Sequence, residues 1–242
     1  MLIFALLFVA IFGFASEPTP KLASWLSDAR VLSGGSEEVR KNAIQRLKAM
    51  PKLESSLHSE LEGKNRFLAL DVISALKLKN FLDDLLRLAE RDESGFFYNA
   101  IDSMIDSTNR ERITTVYRSR VTDREQPWGS RVALYDSLAR LNSILSPGVV
   151  EQSLQDPTPE IRAAALHYLR YSLLHWQNED YLPMLELVLK KGSNKLKIQA
   201  LFLISELSPA YKRRASAYLS SCRSDSNSEV RYYCLQCLQL QK

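Results

Sequence analysis

Glycine is scarce in this chain, with 8 in 242 residues, and histidine and cysteine number three each. Few glycines and many leucines suit helices, because glycine costs about 1 kcal/mol in a helix interior. No stretch holds the two-residue alternation of a half-buried strand. The catalytic signatures are missing as well: no HExxH, no GxSxG, no glycine-rich phosphate loop and no dinucleotide fingerprint. The three histidines are His58, His167 and His175. Only His167 and His175, eight apart, share a spacing of two helical turns, and zinc takes three or four ligands. No metal and no cofactor is expected. The charge balance, 32 Lys and Arg against 28 Asp and Glu, leaves a net +4, well short of a dedicated nucleic-acid binder.

Long apolar runs are absent except for one. Leu2 to Phe14 is almost wholly apolar, but it is too short to span a bilayer as a helix. Gly13-Phe14-Ala15 before Ser16-Glu17-Pro18 fits a small-x-small cleavage site, so residues 1–15 read as a secretory signal peptide. The departure is an n-region with no Lys or Arg. Residues 16–20 form a short leader, and 21–242 the mature domain. The chain is therefore expected to be exported, to a periplasm or outside the cell.

What the chain does contain is a recurring helix. Asp156-Pro157-Thr158-Pro159-Glu160-Ile161-Arg162 reads as a capped turn entering a helix. Asp156 and Thr158 are N-cap types, Pro159 suits the first turn, and Glu160 sits at the positive end of the helix dipole. Ile161, Ala165, Leu166 and Leu169 then share one face. With Ala165 as anchor, equivalents fall at Ala43, Ala69, Ala100, Leu134, Ala200 and Cys234, at successive separations of 26, 31, 34, 31, 35 and 34 residues. One residue after the anchors stand Ile44, Leu70, Ile101, Tyr135, Leu166, Leu201 and Leu235. Four residues after stand Leu47, Ile73, Met104, Leu138, Leu169, Ile204 and Leu238. Three residues before stand Arg40, Arg66, Phe97, Arg131, Arg162, Lys197 and Arg231, basic in all but one. A period near the low thirties marks helix-pair repeats that bury their apolar faces by stacking.

Pro159-Glu160-Ile161-Arg162 with Ala165 and Leu169 resembles the second helix of a HEAT repeat, as do Glu38-Val39-Arg40 with Ala43 and Leu47, and Glu229-Val230-Arg231. The resemblance covers roughly residues 21–242 and departs from the pattern at Phe97 and Leu134. The copies are shorter than the usual HEAT length, so a HEAT-like or armadillo-like variant is in view. The fold this implies is all-α, a right-handed α-solenoid of about seven short HEAT-like helix pairs. In that family the basic column forms a ladder between repeats. This gives Arg40, Arg66, Arg131, Arg162, Lys197 and Arg231 as ladder residues, with Asp92, Asp156 and Asp225 as candidate partners. The alternative is a positive stripe gripping an acidic partner. Resemblance to short secreted HEAT-like proteins points to a bacterial envelope.

The first members of the pairs are expected around Leu22–Ala29, Pro51–Leu61, Asn80–Glu90, Asn109–Val121, Pro147–Leu154, Asn178–Lys190 and Pro209–Cys222. Ser33-Gly34-Gly35-Ser36 reads as the first turn, and Thr122–Ser130, with Pro127 and Trp128, as a longer loop. Cys222, Cys234 and Cys237 all fall in the last pair. In an oxidising compartment Cys222 can bridge to Cys234 or Cys237, and three buried thiols are the alternative.

His167, Arg170, Tyr171, His175 and Trp176 crowd together with Tyr168 and Tyr181, and aromatic residues and Arg dominate binding hot spots. With Trp128 and Arg131 they are the expected partner-binding set. Arg110, Arg112, Arg118, Arg120, Arg124 and Arg131 form one basic run, and Lys190, Lys191, Lys195 and Lys197 a second. Such runs are ordinarily solvated helix faces, and the sharper reading is a patch for polyanions or a membrane surface. The terminal helix, with Tyr232, Tyr233, Leu235 and Leu238, is more apolar than a capping repeat should be, and its open edge suggests self-association. The leading functional expectation is a non-enzymatic protein–protein interaction scaffold or adaptor with no nucleic-acid partner. The alternatives are a HEAT-like enzyme, DNA glycosylase-like or lyase-like, using Trp128, the Arg110–Arg131 run and Asp136, or a polyanion-binding module.

Overall fold

The computed structural model describes residues 20–239. Over them it is all-helical, with no strand among the described residues. The helices are α1 (Pro20–Gly34), α2 (Glu37–Lys48), α3 (Leu53–Leu61), α4 (Arg66–Leu76), α5 (Leu82–Ala89), α6 (Phe96–Ser103), α7 (Arg110–Val121) and α8 (Trp128–Arg140). They continue with α9 (Pro147–Leu154), α10 (Pro159–His175), α11 (Leu182–Lys191), α12 (Asn194–Glu206), α13 (Pro209–Ala215) and α14 (Ser228–Gln239). Short 3-10 segments occupy Lys79–Phe81, Glu179–Tyr181 and Ser216–Cys222. The expected cleavage point after Ala15 and the leader residues before Pro20 lie outside the described residues. Among those described, no helix is long and apolar enough to cross a membrane.

The repeat register maps onto alternate helices. Ala43, Ala69, Ala100, Leu134, Ala165, Ala200 and Cys234 fall on α2, α4, α6, α8, α10, α12 and α14, and all seven are buried. The column four residues later is buried from Leu47 to Ile204 and half-buried at Leu238. The column one residue later is buried from Leu70 to Leu201, half-buried at Ile44 and exposed at Leu235.

The described residues divide into two compact units, one up to Lys79 and one from Asn80 on. In the first, α1 packs on α2 and α4, and α3 packs on α4. Trp25, Ala29, Leu57 and Ile73 fill its core. Arg46 donates through Nε and Nη2 to both carboxylate oxygens of Asp28, tying α2 to α1. Ser36 caps α2 by accepting the Val39 N–H.

In the second unit the even-numbered helices stand in a row, α6 on α8, α8 on α10, α10 on α12 and α12 on α14. Helices α6, α8, α10 and α12 each pack on the odd-numbered helix before them, while α14 packs on the 3-10 segment Ser216–Cys222. Ser193 caps α12 through the Leu196 N–H. Pro147, Pro159 and Pro209 open α9, α10 and α13, where a missing N–H costs nothing.

Three expectations about local structure need correction. α1 runs through Ser33 and Gly34, so the first turn is only Gly35-Ser36. The supposed loop 122–130 ends at Pro127, and Trp128-Gly129-Ser130 is already the first turn of α8. The segment 209–222 is not one helix. It breaks into α13 and the 3-10 stretch Ser216–Cys222. There Ser216 and Ser221 donate to carbonyls three residues back, at Arg213 and Tyr218. Such bonds compete with the regular α-helical pattern.

Cys222 and Cys234 form a disulfide across a Cα separation of 5.9 Å, joining the 3-10 segment to α14. Cys237 remains a buried thiol that donates to the Leu201 carbonyl at 3.2 Å. Burial pushes that thiol up to about 11, so it is protonated and a poor nucleophile at neutral pH. The disulfide closes a short loop, 12 residues in separation, and cutting it restores about 3 kcal/mol of chain entropy to the unfolded state. Cys222→Ala is expected to lower unfolding stability by about that amount in urea titrations. Reductant should destabilise the wild type and leave the variant unchanged.

Candidate functional site

The basic column makes a ladder in the second unit. Arg131 of α8 donates through Nη2 to Asp156 at 2.9 Å and through Nε to the Val121 carbonyl at 3.1 Å. Both charged side chains are buried, at 7% and 4% exposure. Asp156 in turn accepts the Thr158 N–H, and Arg162 of α10 holds the carbonyls of Asp156 and Pro157. The pattern recurs two layers on. Lys197 of α12 reaches Asp225 at 2.6 Å, while Arg231 of α14 holds the carbonyls of Asp225 and Ser226. Each of these aspartates therefore ties one even-numbered helix to the next, α8 to α10 and α12 to α14.

Burial raises the Asp156 carboxyl, but the Thr158 N–H and Arg131 outweigh that and hold it below the usual carboxylate range. Lys197 and the Asn227 N–H hold Asp225 low in the same way. Asp92 differs, and Phe97 offers its carbonyl no cation. Its carboxylate accepts from Ser94 and its carbonyl from Ser130. In the first unit Arg40 is exposed, and Arg66 lies over the Phe67 ring at 4.8 Å.

The basic runs are mostly engaged. Arg110 donates to the Leu141 carbonyl, Arg112 pairs with Asp83, and Arg118 donates to Ser143 and Glu111. Arg120 pairs with Glu90 and the Leu86 carbonyl. These guanidiniums brace α7 against its neighbours, leaving Arg124 exposed among them. In the second run Lys190 pairs with Glu186.

The expected aromatic cluster divides into core and surface. Tyr168 and Tyr181 are fully buried, with hydroxyls on the 143–145 turn. The Tyr168 hydroxyl donates to the Ser143 carbonyl and accepts the Leu145 N–H, while Tyr181 donates to the Leu145 carbonyl. Burial pushes both hydroxyls above the usual tyrosine range, Tyr181 well above it. Trp176 is half-buried, packs edge-on to Tyr168 and Tyr171, and donates to Asn142 at 2.7 Å. His175 packs on Tyr171 at 4.3 Å. His167 and Arg170 are exposed, Arg170 paired with Glu206 of α12 at 2.8 Å.

Two members of the expected partner-binding set do not join it. Arg131 is buried in the ladder. Trp128 is exposed at the first turn of α8. Asn142, the partner of Trp176, lies beyond the far end of α8, roughly 18 Å along the helix at 1.5 Å per residue.

A different set lines the exposed face of the even-numbered helices. Between α10 and α12 lies a shallow depression of about 170 Å³, lined by Ala163, Leu166, His167, Arg170, Gln199, Phe202 and Leu203. Phe202 is 47% exposed at its rim and packs on Tyr233 of α14 at 4.8 Å. On the α8 side a polar chain continues the face. Asp102 of α6 accepts from Tyr117 of α7 and from Ser137 and Arg140 of α8. Arg140 also holds Asp136, whose other oxygen lies 4.0 Å from His167. Burial raises the Asp102 carboxyl, against the pull of these three donors.

Phe202 and Asp102 carry no motif of their own, but the repeat register marks them. The column two residues after each anchor reads Asp71, Asp102, Asp136, His167, Phe202 and Gln236 in the last six copies. That position leaves the buried stripe and faces outward at the layer edge. The fold and this face define a protein of paired helices with a braced spine and an exposed aromatic and polar face. No protein-family model matches the chain, and no curated protein matches it.

Proposed function

We propose that the chain is a non-enzymatic interaction scaffold, an exported α-solenoid of about seven short HEAT-like helix pairs that binds a protein partner through its even-numbered helices. The observation that carries this reading is the exposed Phe202 beside the depression between α10 and α12, with His167, Arg170 and Tyr233 around it. An aromatic ring at the rim of an apolar recess with an Arg alongside is the composition of a binding hot spot. The bracing supports it, because Arg170–Glu206 spans α10 and α12 while the ladder ties each of these helices to its outer neighbour, ordering the docking face before a partner arrives. The Cys222–Cys234 disulfide and the Leu2–Phe14 stretch support export.

The polyanion alternative draws on the Arg110–Arg131 run, most of whose guanidiniums already hold carboxylates and carbonyls. The glycosylase-like alternative draws on Trp128 and Asp136. These sit two turns apart on α8, with Asp136 held by Arg140.

The test is capture from an extracellular or envelope extract of the source cells on immobilised protein. Phe202→Glu should weaken capture of the partner at least about tenfold, a hot-spot loss above roughly 1.4 kcal/mol. Trp128→Ala should leave it unchanged. Equal capture by wild type and Phe202→Glu would remove this face from consideration. N-terminal sequencing of the mature chain tests export separately, with a start near Ser16 expected.

A further inference from the structure

We infer that the recess between the turns entering α10 and α12 is a carboxylate-binding site, left open by one missing rung of the ladder. In each complete rung, the cation three residues before an anchor reaches an aspartate nine residues before the next anchor. Arg131 reaches Asp156 in this way, and Lys197 reaches Asp225. Between those two rungs the same spacing sets Arg162 against Lys191. Two cations cannot pair. Arg162 turns back instead, and its Nη1 holds the Asp156 and Pro157 carbonyls at 2.7 and 2.8 Å. Among the described residues its Nη2 and Nε make no bond. Lys191 is exposed and joins no ion pair among them, unlike Lys190 beside it, which holds Glu186.

The two complete rungs define what fits the open one. Asp156 accepts Arg131 Nη2 on one carboxylate oxygen and the Thr158 N–H on the other. Asp225 does the same with Lys197 and the Asn227 N–H. Thr158 and Asn227 stand seven residues before their anchors, and Ser193 holds that place before α12. Its N–H has no aspartate to bond, because residue 191 is Lys. Arg162, Lys191 and Ser193 line one recess of about 340 Å³. Asp156 lines it too, with its charge already met by Arg131. The rest of the wall is largely apolar, with Leu154, Leu187 and Leu196. Two cations attract a carboxylate through charge-assisted hydrogen bonds, and the leucines suit an aliphatic chain behind it. The ligand is therefore an aliphatic carboxylate, either a free short-chain acid or a glutamate side chain. Inorganic phosphate would find the cations but gain nothing from the apolar wall. The recess lies at the N-terminal ends of α10 and α12, and the inference does not rest on the Phe202 face.

Amide resonances of the full chain, titrated with sodium butyrate against sodium chloride at matched ionic strength, test this. The Ser193 signal should move saturably with butyrate in the millimolar range, as so few contacts dictate, and should not do so with chloride. Lys191→Gln should weaken binding by up to about fivefold, the share of an exposed ion pair. Lys191→Asp should abolish it. Lys195→Gln, outside the recess, and Phe202→Glu, on the docking face, should both bind like wild type. The lysine variants should keep the wild-type far-ultraviolet spectrum, because both lysines are exposed. Tighter binding of N-acetylglutamate amide than of butyrate assigns the site to a protein side chain, and the reverse assigns it to a free acid. An equal shift with chloride overturns the inference, and so does undiminished binding by Lys191→Asp. Inorganic phosphate binding more tightly than butyrate overturns the assignment to a carboxylate.

Discussion

Arg131→Ala is expected to destabilise the protein by about 3–5 kcal/mol, the usual cost of removing one member of a buried ion pair. The magnitude follows from what remains. Asp156 keeps 4% of its side chain in solvent and loses its only paired cation. The Val121 carbonyl at the end of α7 loses the Nε–H that it accepts at 3.1 Å. Urea unfolding at pH 7 measures the loss. Arg131→Met with Asp156→Asn should recover most of it. An amide still accepts the Thr158 N–H, and no unpaired charge stays buried.

The pH dependence carries a sign of its own. In the wild type the Asp156 carboxyl is held below its unfolded value of about 3.9. Its contribution to stability is therefore complete above pH ~4 and is lost as pH falls through the lower folded value. Without Arg131, burial is less opposed and the folded value moves upward. The variant then loses less on acidification, so the gap between the two proteins should narrow between pH 7 and pH 3. A gap that is constant with pH would show that the loss comes from packing and not from the carboxylate.

That pair shows how far the sequence could be read. Arg131 belongs to a column found by repeat arithmetic, and Asp156 stood out as a turn residue before a helix. Periodicity sees such pairs because ladder and cap obey the same period as the apolar face. The seven anchors fell on alternate helices for the same reason. The surface was harder to see. Tyr168, Tyr171 and Trp176 are adjacent in the chain, but helical geometry turns Tyr168 inward and leaves Tyr171 half-exposed. Trp128 resembles them in residue type alone, and the axial length of α8 keeps it apart. Phe202 looked like one more apolar residue in the run Ala200–Ile204, where only the layer register distinguishes its exposed side from the buried sides of Leu201 and Leu203. The break at Ser216 comes from serine hydroxyls bonding locally, an effect with no apolar period to announce it.

Gly129→Ala is the second large effect, at about 3 kcal/mol, the upper range for overpacking a close contact. Pro127-Trp128-Gly129-Ser130 looks like a flexible connection, yet it is the first turn of α8. In a helix, Ala is normally better than Gly by about 1 kcal/mol. Here the sign reverses, because a Cβ at 129 would overlap the Glu93 carbonyl oxygen. That carbonyl cannot swing away cheaply. Ser130 donates to the Asp92 carbonyl and Ser94 to the Asp92 carboxylate at 2.6 Å. Gly95 follows in the left-handed region at φ +71°, where an added Cβ would sit 2.6 Å from that of Ala133. The turn before α6 is thus pressed onto α8 at two glycines one helical turn from each other's contacts. Gly148→Ala in the first turn of α9 is the matched control, since a Cβ there meets nothing within 4 Å. It should be neutral or slightly stabilising, as propensity alone dictates. If both variants unfold at the wild-type midpoint, the turn yields easily and the α6–α8 contact is looser than these distances require. If only Gly129→Ala falls, the absent side chain at 129 is what lets these two layers close.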